Sequence, residues 1–262
     1  MSVLAPVTGT SAVFRLNPVS KLAASAIISL ALVFSIDWVS ASVALALELP
    51  LFMFAGLTLR QFARRAVPLS IAGLLGAFTI LLYGKSSGET YVQFLFVHVS
   101  DGSIELALAT FLRILAIALP AVVLFATVDP TDFADGLAQV LKLPARFVVG
   151  ALAGLRLVSL FIEDWRNLEL ARRARGIADT GRIRRFVGQV FALLVLSIRR
   201  GSKLATAMEA RGFGASGERS WARESRLRSG DAVLIAIACA VAAASVWVSV
   251  ATGHWNFIGG AP

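Results

Sequence analysis

What most limits this chain is the recurrence of long apolar runs, each near the length that a helix needs to cross a hydrocarbon layer. A spanning helix takes about 20 mostly apolar residues. Such runs stand at 21–38 (KLAASAIISLALVFSIDW), 40–59 (SASVALALELPLFMFAGLTL), 66–84 (AVPLSIAGLLGAFTILLYG), 104–128 (IELALATFLRILAIALPAVVLFATV) and 231–252 (DAVLIAIACAVAAASVWVSVAT). In lipid a segment must bond its own backbone polar groups, so single runs of this kind are helices. Composition agrees: 57% of residues are hydrophobic and 16% charged, whereas soluble domains carry roughly a quarter charged residues. The first run follows lysine and ends near Ser-Ala-Ser, as a signal peptide would, but the apolar pattern resumes at once. It reads as an uncleaved span. The expected fold class is an all-α membrane protein with about five transmembrane helices.

Charge orients these spans. Of the net +9, residues 142–228 hold 18 Lys and Arg against 7 Asp and Glu, and the rest holds 7 against 9. Short loops rich in Lys and Arg stay cytoplasmic. With a cytoplasmic N-terminus, Arg15, Arg60, Arg64, Arg65 and the whole basic segment fall inside, and the C-terminus falls outside. Asp37, Glu89, Asp101 and Glu105 then lie outside, with Lys85 the only lysine or arginine there. Trp38, Tyr83, Tyr91 and Trp255 would sit near the outer interface, where amphipathic rings are expected. A further apolar stretch, 147–162 (FVVGALAGLRLVSLFI), could pass for another span. Letting it cross would strand Arg166, Arg172, Arg173, Arg175, Arg182, Arg184 and Arg185 outside, so it is read as cytoplasmic.

The chain then divides into residues 1–128 (tail and spans one to four), 129–230 (a cytoplasmic insert) and 231–262 (span five and a short outer tail). The insert predicts one short helix and two long ones. "DPTDFADGLAQVLKLP" places Thr131 or Asp132 as cap of the short helix, which stops before Pro144. The long helices run over 145–175 and 183–211, each apolar first and charged later. Both close on the same tripeptide, Ala174-Arg175-Gly176 and Ala210-Arg211-Gly212.

Part of that repetition is ordinary helix grammar. Glycine accepts the left-handed conformation past a last turn, and arginine complements the negative end of the helix dipole. The tripeptide has a second use. An arginine between two small residues at a helix tip reaches outward unobstructed, and its planar fork suits a carboxylate in a partner's groove. Two such tips would suit a partner with two similar sockets.

On these residues the chain resembles the transmembrane (T) component of energy-coupling factor transporters, a branch of the ABC importers. The likeness runs from "LNPVSKL" (16–22) to the last span, and is strongest over 129–176 and 184–214. One departure is Asn17, where the family more often has aspartate. The resemblance implies that the two tripeptides end coupling helices that dock on two ABC ATPase subunits, identical or different. It implies a third partner, a small substrate-binding membrane protein (S component), within the bacterial plasma membrane. Gly150, Ala151, Ala153 and Gly154 are small enough for close helix approach; they are candidates for contact with the S component, or for packing within the insert. The cargo, a vitamin such as biotin or a metal ion such as cobalt, cannot be read from these residues.

Other chemistry is sparse. The lone Cys239 builds neither a disulfide nor a thiolate site, and His98 and His254 are too scattered for a metal cluster, so no metal and no cofactor are expected. No G-x-x-x-x-G-K-[ST] loop is present; "YGKSS" (83–87) lacks it because Thr79 stands where the first glycine belongs. ATP hydrolysis is therefore expected in partner subunits, not in this chain. Glu48 and Arg113 fall at similar depth in spans two and four, and a structural ion pair between them is expected. Two rival functions remain: a stand-alone secondary transporter, which would want paired interrupted spans, and a membrane anchor using its basic segment. Nucleic acid is not an expected partner.

Overall fold

The computed structural model describes residues 12–35, 37–54, 56–84, 90–94, 97–176, 181–215 and 220–255. Lys85 and Glu89, and with them most of the "YGKSS" segment, lie outside the described residues. After a short 3-10 turn at Ala12–Arg15 the helices are α1 (Pro18–Val33), α2 (Trp38–Phe54), α3 (Leu59–Tyr83), α4 (Asp101–Phe125), α5 (Pro130–Gln139), α6 (Ala145–Ala174), α7 (Arg182–Ala210) and α8 (Ser229–Ala251). The chain is an all-α membrane protein. α3, α4, α6 and α8 are long and apolar enough to cross a membrane, while α1 and α2, at 16 and 17 residues, are shorter apolar helices.

The chain forms two compact units, residues 1–136 with 225–262, and residues 137–224. In the first, α1, α2, α4 and α8 pack on one another and α3 packs on α4. Its core joins Ala24, Ile28 and Leu32 of α1 to Ala44 and Leu45 of α2, Ala116 and Leu119 of α4, and Ala238 and Val241 of α8. Alanine supplies a contact on each of these helices, which lets their backbones come close where lipid offers no hydrophobic drive. All five runs predicted as spans belong to this unit; 147–162 does not.

Polar clusters lock both ends of the bundle. At one end Asp37 accepts bonds from the Ser40 backbone N–H (2.7 Å) and from the hydroxyls of Ser40 (2.8 Å) and Ser249 (2.6 Å), joining the start of α2 to the end of α8. At the other, buried Asp231 of α8 accepts from the Asn17 N–H (2.7 Å), the Ser20 hydroxyl (2.6 Å) and the Arg228 N–H (2.7 Å). Asn17 caps α1 by accepting from the Val19 N–H at 2.9 Å and donates to the Ser225 hydroxyl at 2.9 Å. Lys21, wholly buried, donates to the Thr127 hydroxyl at 2.9 Å.

Details of the sequence reading shift. The division of the chain falls inside the 129–230 limits, because the first turns of α5 pack on α1; a Cβ on Gly136 would lie 2.8 Å from Val19. Asp129, not Thr131 or Asp132, caps α5: its carboxylate accepts from the Thr131 N–H at 2.7 Å, ahead of Pro130 in the first turn. α3 begins at Leu59, so Arg60, Arg64 and Arg65 ride its first turns, the first two exposed and Arg65 half-buried. The stretch read only as an outer loop contains an antiparallel hairpin, β1 (Thr90–Phe94) and β2 (Val97–Ser100), with Val92 opposite Val99 and Phe94 opposite Val97. A bond between Tyr91 and the Asp101 carboxylate ties β1 to α4 and raises the phenol above its ordinary range.

Candidate functional site

The second unit is built around α6 and α7, whose meeting is mostly polar. Glu169 of α6 pairs at 2.8 Å with Arg185 of α7 and, one turn on, with Arg173. Arg172 donates to the Arg185 carbonyl at 3.1 Å, its guanidinium lying where a Cβ on Gly188 would approach to 3.0 Å. Further along, Arg200 pairs with Asp164, one guanidinium nitrogen donating to a carboxylate oxygen at 2.9 Å and the other nitrogen lying 2.5 Å from the second oxygen. Trp165 and Phe186 meet at a tilt of 59° with centroids 5.8 Å apart. These contacts leave large side chains uncovered on both helices, among them Phe147, Leu155, Phe186, Phe191 and Ile198.

Each helix ends alike. Arg175 caps α6 with φ −88° and Gly176 follows at φ +68°; Arg211 caps α7 with φ −92° and Gly212 follows at φ +76°. Only glycine takes those positive angles without strain. The second stop is a full Schellman motif: the Gly212 N–H bonds the Glu209 carbonyl (2.9 Å) and the Phe213 N–H bonds the Met208 carbonyl (2.9 Å). The first shows the same inner bond, Gly176 N–H to the Arg173 carbonyl at 3.0 Å. All six tripeptide residues are exposed, and no atom stands within 4 Å of a Cβ built on Gly176 or Gly212. Among the described residues neither Arg175 nor Arg211 has a side-chain partner. Each tip thus presents an exposed guanidinium fork.

The small residues at the start of α6 are likewise open. A Cβ on Gly150 or Gly154 would meet nothing within 4 Å; Ala151 is exposed and Ala153 half-buried. Packing on α7 therefore does not explain either glycine.

The expected Glu48–Arg113 pair is absent. The Arg113 guanidinium donates to the Val33 carbonyl, one of the unbonded carbonyls that end α1, with Asp37 nearby. Glu48 is buried, and neither of its carboxyl oxygens has a hydrogen-bond partner. Similar depth on two helices did not suffice: the arginine bonds a carbonyl at a helix terminus instead. Two features escaped the sequence reading: the Asn17–Asp231 lock, whose members lie 214 positions apart, and the cavity on which Glu48 faces.

Fold and tips together define a class: a helical membrane protein whose second compact unit carries two exposed, arginine-ended helix termini. Comparison with known sequences narrows it. Residues 9–222 match the CbiQ family, described as "Cobalt transport protein", and the chain belongs to this family of T components of energy-coupling factor transporters. It is similar to the energy-coupling factor transporter transmembrane protein EcfT of Bacillus selenitireducens, 28% identical over 91% of this chain and 93% of that one. The proteins of the same name from Lactococcus lactis (26% identical; 87% of this chain, 90% of that one) and Bacillus subtilis (27%; 79% and 82%) are similar too.

Proposed function

We propose that this chain is the scaffold of an energy-coupling factor importer, in which α6 and α7 are coupling helices. Arg175 and Arg211 dock into acidic grooves on two ABC ATPase subunits. Closure of those subunits on ATP moves the two helices, and the movement reorients a substrate-binding S component. The observation that carries this reading is the matched pair of tips: arginine at the cap, glycine in the left-handed position beyond it, and open space around both. A structural helix stop needs the glycine alone. Exposed arginine forks repeated at both ends are what paired docking requires.

The open face of α6 around Gly150, Ala151, Ala153 and Gly154, with the uncovered aromatic side chains of α6 and α7, supports contact with the S component. Hydrolysis of ATP is assigned to the partner subunits and selection of the cargo, a vitamin or a metal ion, to the S component. The five helices of the first unit cross the plasma membrane with the N-terminus cytoplasmic and the C-terminus outside. α6 is long and apolar enough to cross as well, but it packs with α7 among cationic residues that would not translocate.

Co-purification with the ATPase subunits tests the docking. Arg175→Glu and Arg211→Glu are each expected to weaken association, by about 2–5 kcal/mol if the partner carboxylate is left buried and unpaired. Together they should abolish uptake. A double variant that retains the ATPases at wild-type stoichiometry refutes the docking role.

A further inference from the structure

Within the first unit a cavity of about 340 Å³ opens between α1, α2, α4 and α8. Its walls include Ala24, Ile28, Phe52, Val123 and Leu234, and among the described residues Glu48 is the one with a polar side chain that lines it. That carboxyl is 1% exposed and both of its oxygens lack a hydrogen-bond partner. A buried carboxylate with neither cation nor donor is costly, and in a membrane it marks a functional position. The cations on neighbouring helices do not serve it: Lys21 is bonded to Thr127 and Arg113 to the Val33 carbonyl. Among the described residues nothing completes Glu48.

The walls say what kind of molecule would complete it. They are apolar, and the volume lies at the small end of the range for ligand sites, about 300–1,000 Å³. Leu51, Phe54 and Val233 among its walls are exposed apolar side chains, so the opening is apolar as well. An ionised carboxylate is acceptor-only; an ammonium offers it three donors and the opposing charge, whereas an alcohol offers one donor and no charge. We propose that this cavity binds a single-chain aliphatic amine taken laterally from the bilayer, its ammonium on Glu48 and its chain along the apolar walls. The site is independent of the coupling role of α6 and α7, and its failure leaves that role untouched.

The test uses the full-length chain in lipid nanodiscs, titrated with dodecylamine, dodecanol and laurate against empty nanodiscs. Dodecylamine is expected to bind one per chain, about tenfold or more tighter than dodecanol, with laurate the weakest because like charges repel. The isosteric Glu48→Gln should erase the preference for the amine and leave dodecanol unchanged. Equal dodecylamine binding by wild type and Glu48→Gln overturns the proposal. Should Glu48→Gln not fold, the order of the three probes on the wild-type chain decides alone. If no amine binds the wild-type chain, while Glu48→Gln reduces co-purification of a partner membrane protein, the cavity belongs to a protein helix and the proposal is wrong.

Discussion

At the residue scale, Arg175 and Arg211 owe their reach to their neighbours. The alanine before each leaves the tip uncrowded, and the glycine after each turns the chain away at a positive φ. Replacing Gly212 by Ala forces a side chain into the left-handed region and costs about 1 kcal/mol. Gly212→Ala should therefore lower ATPase association more than it lowers the melting temperature, since the tip is displaced while the core is untouched. Lysine at 175 or 211 keeps the charge without the fork, so its association should fall between wild type and glutamate in the same pull-down. Asp231 bears on stability instead. Asp231→Ala strands the Asn17 N–H, the Ser20 hydroxyl and the Arg228 N–H in a buried place. Its melting temperature should drop, by a loss of about 3 kcal/mol. The tripeptides could be read in the sequence because helix stops are local; the Asp231 lock could not, because nothing near Asp231 names its partners.

At the element scale, α6 and α7 are held by side-chain pairs more than by a shared core. Val148 is the one apolar side chain of the described residues of the pair that reaches full burial. Glu169 and Asp164 are thus the joints between the two helices. Both pairs are part-buried rather than deeply enclosed, so each contributes about 1 kcal/mol, and such weak joints suit the shift between helices that the proposed coupling asks for. Asp164→Asn and Glu169→Gln should barely change the melting temperature, while uptake falls in both and falls further in the double variant. Unchanged transport in the double variant would show that these pairs are incidental. The ends of both long helices were legible within a residue or two, because glycine and proline punctuate them. The β1–β2 hairpin was not: "YVQFLFVHVS" is rich in β-branched and aromatic residues, yet it sits in a short connection where only strand pairing reveals it.

At the scale of the whole molecule, sidedness is the property to measure. In a Cys239→Ser background, cysteines at Lys142 and Arg173 bracket α6, and one at Thr252 follows α8. Lys142→Cys and Arg173→Cys should both resist an impermeant thiol reagent in intact cells and react after permeabilisation, with Thr252→Cys reactive throughout. Opposite reactivity at 142 and 173 would mean that α6 crosses the bilayer.

The sequence alone determined that the chain is helical, that it lives in a membrane, and where its long helices stop. Each of these follows from composition, run length or a cap, quantities that a few neighbouring residues carry. Tertiary structure decided which helix buries which, and so which charges meet. It gave Arg113 to a backbone carbonyl, Lys21 to Thr127 and Asn17 to Asp231, and it left Glu48 facing an apolar cavity. Helical periodicity fixes the depth and face of a side chain along one helix. The acceptor that it finds depends on the packing of helices distant in sequence, to which no local pattern has access.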